Sequence, residues 1–132
     1  MNILLYHCSF HNQGDVLMLI SAKKILQQLY PNSHFSVLSS DMPDMKVLKE
    51  NNIDLINLNI NYLIKNKTLP HRFISKTYKI INKKELHKLR KINVVIDVNG
   101  YFIGDKWGVQ LDQYNAYYLF KKMNKKIILM PK

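Results

Sequence analysis

Asn2-Ile3-Leu4-Leu5-Tyr6-His7-Cys8-Ser9-Phe10-His11-Asn12-Gln13-Gly14-Asp15-Val16-Leu17 opens the chain and decides how the rest is read. A strand covered on both faces is apolar throughout instead of alternating, and residues 2 to 6 form such a run, which stops at the polar His7 and Cys8. The run predicts a buried parallel strand feeding a loop from Ser9 to Asp15. Beyond the loop, Val16, Leu17, Leu19, Ile20, Ile25, Leu26 and Leu29 recur near helical spacing between Lys23, Lys24, Gln27 and Gln28. That pattern predicts an amphipathic helix of about four turns, closed by Tyr30-Pro31-Asn32.

The same strand, loop and helix order continues outward. His34 to Ser39 alternates Phe35 and Val37 with polar neighbours and predicts a second strand. Asp41-Met42-Pro43-Asp44 is a turn with a helix-start signature, followed by a short helix carrying Met45 and Leu48 up to Asn51-Asn52. Ile53 to Ile60 reads as a third strand, whereas Ile64 to Arg72 fits no regular period. Ile74, Tyr78, Ile81, Leu86 and Leu89 predict one or two lysine-covered helices between Phe73 and Lys91. The β-branched run Asn93-Val94-Val95-Ile96-Asp97 predicts a fourth strand and Ile127 to Met130 a last one. Between them Tyr114, Tyr117, Tyr118, Leu119 and Met123 mark a final helix. Strands joined by helices in this order require a parallel sheet with helices on both faces, so the expected fold is α/β: a Rossmann-like, doubly wound sheet.

At 132 residues, 47% of them hydrophobic, the chain suffices for a single domain (1–132) that buries roughly two thirds of its unfolded surface. A formal net charge of +11 invites a nucleic acid, an anionic lipid or a phosphorylated ligand. Nearly all of that charge is lysine, however. Arg72 and Arg90 are the only arginines, and base or phosphate readout favours the bidentate guanidinium. Lysine accompanied by much asparagine and isoleucine is also what an AT-rich coding sequence produces, so no nucleic-acid partner is expected. The lysine-rich stretch Lys76 to Lys91 reads as a solvated face. Cys8 is the only cysteine, which excludes an internal disulfide. No basic leader and no run of about 18 to 20 apolar residues is present, so neither a signal peptide nor a transmembrane segment is expected, and a cytoplasmic location fits.

In a doubly wound sheet, ligands bind beyond the carboxyl ends of strands where the strand order reverses, and two loops hold such positions. In the first, His11 to Asp15, backbone N–H groups and the helix dipole favour an anionic or polar ligand. There Gly14 permits close approach, and Asn12 or Asp15 can cap the helix. The same residues are equally what a turn and a cap require. Neither the G-x-G-x-x-G spacing nor a P-loop is present. The second loop, Asp97 to Gly108, far exceeds the about 2 to 6 residues of ordinary connections. It mixes two carboxylates with Tyr101, Phe102 and Trp107, a sugar-site combination in which rings cover apolar ring faces and carboxylates accept from hydroxyls. Alternatively, Phe102 and Trp107 plug the sheet end and Asp105 caps a turn. His7, His11, His34, His71 and His87 make no metal-ligand spacing with Cys8 or with each other, so no metal is expected. His11, at the mouth of the first loop, is the histidine to watch. Cys8, at a strand end, reads as simply packed.

At these loops the sequence resembles the polysaccharide pyruvyl transferase family. Asn12-Gln13-Gly14-Asp15 matches the family's N-x-G-D start behind a short strand. Val94 to Gly108 is similar to a segment with an aspartate closing a strand, then serine-glycine-phenylalanine and aspartate-x-tryptophan-glycine. Lys125 to Pro131 resembles the strand leading into a proline-glutamine and glycine-proline loop. Asn99 stands where serine is usual, and Lys132 where glutamine follows the proline.

The resemblance implies the N-terminal half of a GT-B-type transferase, whose two Rossmann-like domains face each other across a cleft. It also implies pyruvate transfer from phosphoenolpyruvate, as donor substrate without a cofactor, onto a hydroxyl pair of a surface-polysaccharide or lipid-linked sugar. On this reading the chain is a truncated or split form, inactive alone, acting at the inner face of the membrane with a separate C-terminal domain chain that carries the donor-binding arginines and histidines. Its own contribution is then the acceptor-sugar wall, through Asn12, Gly14, Asp15, Asn99, Gly100, Tyr101 and Asp105. The alternatives are the N-terminal domain of a nucleotide-sugar glycosyltransferase and a noncatalytic remnant or binding module.

Overall fold

The computed structural model describes residues 1–39, 43–64, 69–98 and 111–130, with the side chains of 69–74 and 111–113 outside that description. Five strands, β1 (Asn2–Tyr6), β2 (His34–Ser39), β3 (Ile53–Asn57), β4 (Val94–Asp97) and β5 (Lys126–Leu129), form one sheet in the order β3-β2-β1-β4-β5. Every pairing is parallel. The helices are α1 (Gln13–Leu29), α2 (Met45–Glu50), α3 (Leu69–Ile81), α4 (Lys83–Lys91) and α5 (Leu111–Lys122). The architecture is therefore the Rossmann-like α/β sheet that the residue pattern predicts, flanked by helices.

Side-chain alternation along the strands divides the core in two. Ile3, Leu5, Phe35, Val37, Val94 and Ile96 face one way and pack under Leu19 and Ala22 of α1 and Leu48 of α2. Leu4, Ile56 and Val95 face the other way, against Leu89 of α4 and Ala116 and Phe120 of α5, with Tyr78 of α3 alongside. Winding thus proceeds from β1 outward through β2 to β3 on one face, then crosses back to β4 and β5 on the other. The carboxyl ends of β1 and β4 lie side by side at the reversal.

Two expectations are corrected. The third strand ends at Asn57, not Ile60: the chain leaves the sheet at Leu58, whose N–H turns back to the Ile56 carbonyl at 3.1 Å, and Asn59 caps a short 3-10 turn over Ile60–Tyr62. Ile56, Leu58 and Ile60 nonetheless stay buried in one cluster, so the apolar alternation survives the loss of pairing. In α1 the residues over the sheet are Leu19, Ala22 and Leu26, whereas Leu17, Ile25 and Leu29 are exposed on the outer side. The lysine-covered region resolves into two helices separated at Asn82, and Lys76, Lys79, Lys83, Lys84 and Lys91 are exposed.

Two devices tie α4 to its surroundings. Lys125, just before β5, donates to the carbonyls of Arg90 and Ile92, both at 2.6 Å, meeting acceptors that a helix end leaves over. Partial burial lowers its pKa from the ordinary lysine value. On the edge strand β3, Glu85 accepts from the Asn57 N–H (3.0 Å) and Lys88 donates to the Leu55 carbonyl (3.2 Å) while pairing with Glu85 (2.9 Å). These contacts occupy outward backbone groups that would otherwise template another strand. They also line a depression of about 420 Å³ with Met45 and Asp54, at the edge of the sheet remote from the reversal.

Candidate functional site

Where β1 ends, alternation would send the side chain after Tyr6 to the α1 face. His7 instead has φ 63°, a left-handed conformation that costs a non-glycine residue roughly 1–2 kcal/mol. With this turn its ring lies on the same side as Tyr6, stacked at 4.4 Å between centroids and 26° between planes. From there Nδ1 reaches Oδ2 of Asp97 at 2.7 Å. Asp97 is the last residue of β4, in register with Tyr6, and is fully buried. Its side chain points to the α5 face, where the Tyr117 hydroxyl donates to the same Oδ2. Tyr117 also meets the His7 ring edge-on at 6.4 Å, and Phe120 meets Tyr6 edge-on at 5.2 Å.

The electrostatics of this cluster follow from its burial. A carboxylate shut away from water needs donors, and two converge on one oxygen. Tyr117 has its pKa raised, first by burial and then by the hydrogen bond and charge of Asp97, with Tyr6 adding to the effect. It therefore remains a donor at neutral pH. An acceptor at Asp97 requires a proton on Nδ1 of His7, so the neutral imidazole carries its lone pair on Nε2. The His7 side chain is 22% exposed, whereas that of Asp97 is fully buried.

The first loop leads from β1 into α1. Asn12 is the N-cap of α1: its side chain accepts from the Gly14 N–H at 2.9 Å and its carbonyl from Val16 at 3.2 Å. A Cβ at Gly14 would stand 3.2 Å from that cap oxygen, so the glycine makes room for the cap. Asp15 is buried in the first turn, where the helix dipole favours a carboxylate. Its backbone carbonyl takes the Cys8 thiol at 3.6 Å. Burial, reinforced by the Asp15 charge, pushes that thiol up to about 12, which makes Cys8 a packed residue and a poor nucleophile.

Of the residues singled out from sequence, Asn12, Gly14 and Asp15 thus share the start of α1 beside the reversal point. Asn99, Gly100, Tyr101 and Asp105 lie outside the described residues. His11 is exposed in the turn before α1. The sequence pattern does not single out His7 or Tyr117 as site residues and brings in Asp97 only as a carboxylate of the second loop, although a histidine after one buried strand and an aspartate closing another are a readable signal once those strands are neighbours. Among the described residues no cluster of His, Cys, Asp and Glu suits a metal ion, and no helix is long and apolar enough to cross a membrane. Comparison with protein-family models, with curated proteins and with solved structures finds no match to this chain.

Proposed function

We propose that this chain is the acceptor-binding half of a pyruvyl transferase of GT-B architecture, moving pyruvate from phosphoenolpyruvate to two hydroxyls of a sugar in a surface polysaccharide. The observation that carries the reading is that β1 and β4 are neighbours in the sheet, so that the N-x-G-D turn at Asn12–Asp15, which follows β1, and Asp97, which closes β4, both belong to the carboxyl ends of adjacent strands. These belong to two of the motifs on which the family resemblance rests, and the parallel sheet sets the strands that lead into them side by side.

Ketal formation joins both hydroxyl oxygens to the enol carbon, converts the methylene to a methyl group and releases phosphate. It requires a base near the hydroxyls, a proton for the methylene and cations for the carboxylate and phosphate. The carboxyl ends of β1 and β4 carry the partly exposed imidazole of His7 over the buried Asp97, beside the rings of Tyr6 and Tyr117, a set suited to a sugar hydroxyl. The cationic donor site belongs, on this reading, to a second Rossmann-like domain across the cleft.

Phosphate release from phosphoenolpyruvate is the test, measured over a panel of acceptor glycans with this chain alone and with a candidate second-domain chain added. Glycan-dependent release that needs both chains is the expected result. Release from a nucleotide-sugar donor in place of phosphoenolpyruvate would transfer the chain to the glycosyltransferases, and no release from either donor would overturn the catalytic reading.

A further inference from the structure

We infer that His7 is the residue that accepts the proton from the attacking sugar hydroxyl, with Asp97 and Tyr117 as its positioning residues; the hydroxylated ligand rests on the function proposed above, whereas the poise of the imidazole does not. Three features orient this ring and a fourth holds its partner. Its backbone is held at φ 63°, where an L-residue is strained. Tyr6 stacks on one face at 4.4 Å. Asp97 binds Nδ1 at 2.7 Å. Tyr117 donates to the same carboxylate oxygen and closes it from the α5 side. A histidine that merely filled space would need none of this. Strained non-glycine residues persist where the surrounding structure over-determines them, and they concentrate at working sites.

The arrangement has a definite chemical sense. A buried carboxylate on Nδ1 fixes the tautomer and directs the imidazole lone pair to Nε2, the logic by which an aspartate orients a histidine base in hydrolases. The 22% exposure of the side chain falls at the strand reversal, where a doubly wound sheet binds its ligand. In the step assigned to it, the oxygen of the sugar hydroxyl bonds to the enol carbon of phosphoenolpyruvate and its proton passes to Nε2. His7 then passes this proton to the methylene carbon, which becomes methyl. The oxygen of the second hydroxyl bonds to the same carbon as the carbon–oxygen bond to phosphate breaks with its electron pair on the phosphate, and the second hydroxyl's proton passes to Nε2 and leaves on the phosphate.

The tautomer and its response to sugar are read directly from two-bond proton–nitrogen correlations of protein labelled with 15N-histidine, with His7 assigned by His7→Gln. Methyl glycosides of galactose, glucose and mannose serve as probes. The expected result is the Nδ1–H tautomer at His7 in the free protein, a shift of its Nε2 resonance on addition of at least one glycoside, and loss of both in Asp97→Asn. Wild-type protein showing the Nε2–H tautomer, or an Nε2 resonance that answers none of the glycosides, would overturn the proposal, and neither result depends on the variants folding. A glycoside response without phosphate release from phosphoenolpyruvate keeps His7 as a hydroxyl acceptor and removes the pyruvyl transferase reading. Phosphate release without a His7 response does the reverse.

Discussion

Asp97 draws hydrogen bonds from His7 and Tyr117 onto one oxygen while fully buried, so the cost of removing it differs from the cost of removing a donor. Asp97→Ala leaves an imidazole N–H and a phenol without their acceptor and opens space beneath them. The expected loss is about 3 kcal/mol, because an abandoned buried group forfeits its full desolvation cost. Tyr117→Phe keeps the ring and the His7 bond and should lose about 1 kcal/mol. Urea unfolding of both variants checks the order, and equal losses would mean that the carboxylate is solvated in a way its burial denies. Cys8 supplies a second residue-scale expectation. With its thiol pushed from 9.0 to about 12, the thiolate fraction at pH 8 falls by about a thousandfold. Iodoacetamide should therefore alkylate native protein at least a hundredfold more slowly than urea-unfolded protein, and near-equal rates would contradict the packing of Cys8 against Asp15.

At the scale of elements, α1 depends on its first turn. Asn12→Ala removes the acceptor of the Gly14 N–H and should cost about 1 kcal/mol, whereas Asn12→Asp should be neutral or stabilising, since a carboxylate accepts the same bond and complements the dipole. Thermal unfolding of the two variants is the measurement; equal destabilisation would place Asn12 elsewhere than the cap. This cap was legible as a local pattern, as were β1, β2, β4 and the order of the helices, because apolar periodicity reports burial, and β1 and β4 are covered on both faces. Where pairing and burial part company, periodicity fails. Ile56, Leu58 and Ile60 alternate as a strand does and remain buried, yet the chain turns out of the sheet at Leu58, and the Tyr78 hydroxyl rather than a neighbouring strand receives the Asn59 N–H at 2.7 Å. The site was half legible for a related reason. Asn12, Gly14 and Asp15 are neighbours in sequence, but the His7–Asp97 contact spans 90 residues and the Tyr117–Asp97 contact 20. Tyr117 also sits among tyrosines that read as one helix face, and the departure of His7 from alternation lies in a backbone angle that no residue pattern announces.

For the molecule as a whole, two electrostatic effects oppose each other above neutrality, and their signs can be separated. A net charge of +11 means self-repulsion that eases as pH climbs toward the isoelectric point of about 9.7, so on that ground alone stability rises with pH. Cys8 and Tyr117 act the other way. Both have folded pKa values raised above their ordinary 9.0 and 10.0, so the unfolded chain releases these protons first. Their contribution is complete below pH 9 and is lost progressively above it, first through the cysteine and from about pH 10 through the tyrosine as well. Salt distinguishes the two, since the Debye length of about 8 Å at physiological ionic strength screens spread surface charge much more than partly buried groups. Melting temperature measured from pH 7 to pH 11 in high salt should therefore stay level to about pH 9 and then fall. In Cys8→Ala/Tyr117→Phe the fall should be shallower, even though the variant starts from a lower melting temperature. An identical alkaline slope in wild type and double variant would assign the loss to the lysine-rich surface and would remove these two protons from the account of what holds β1, α1 and α5 together.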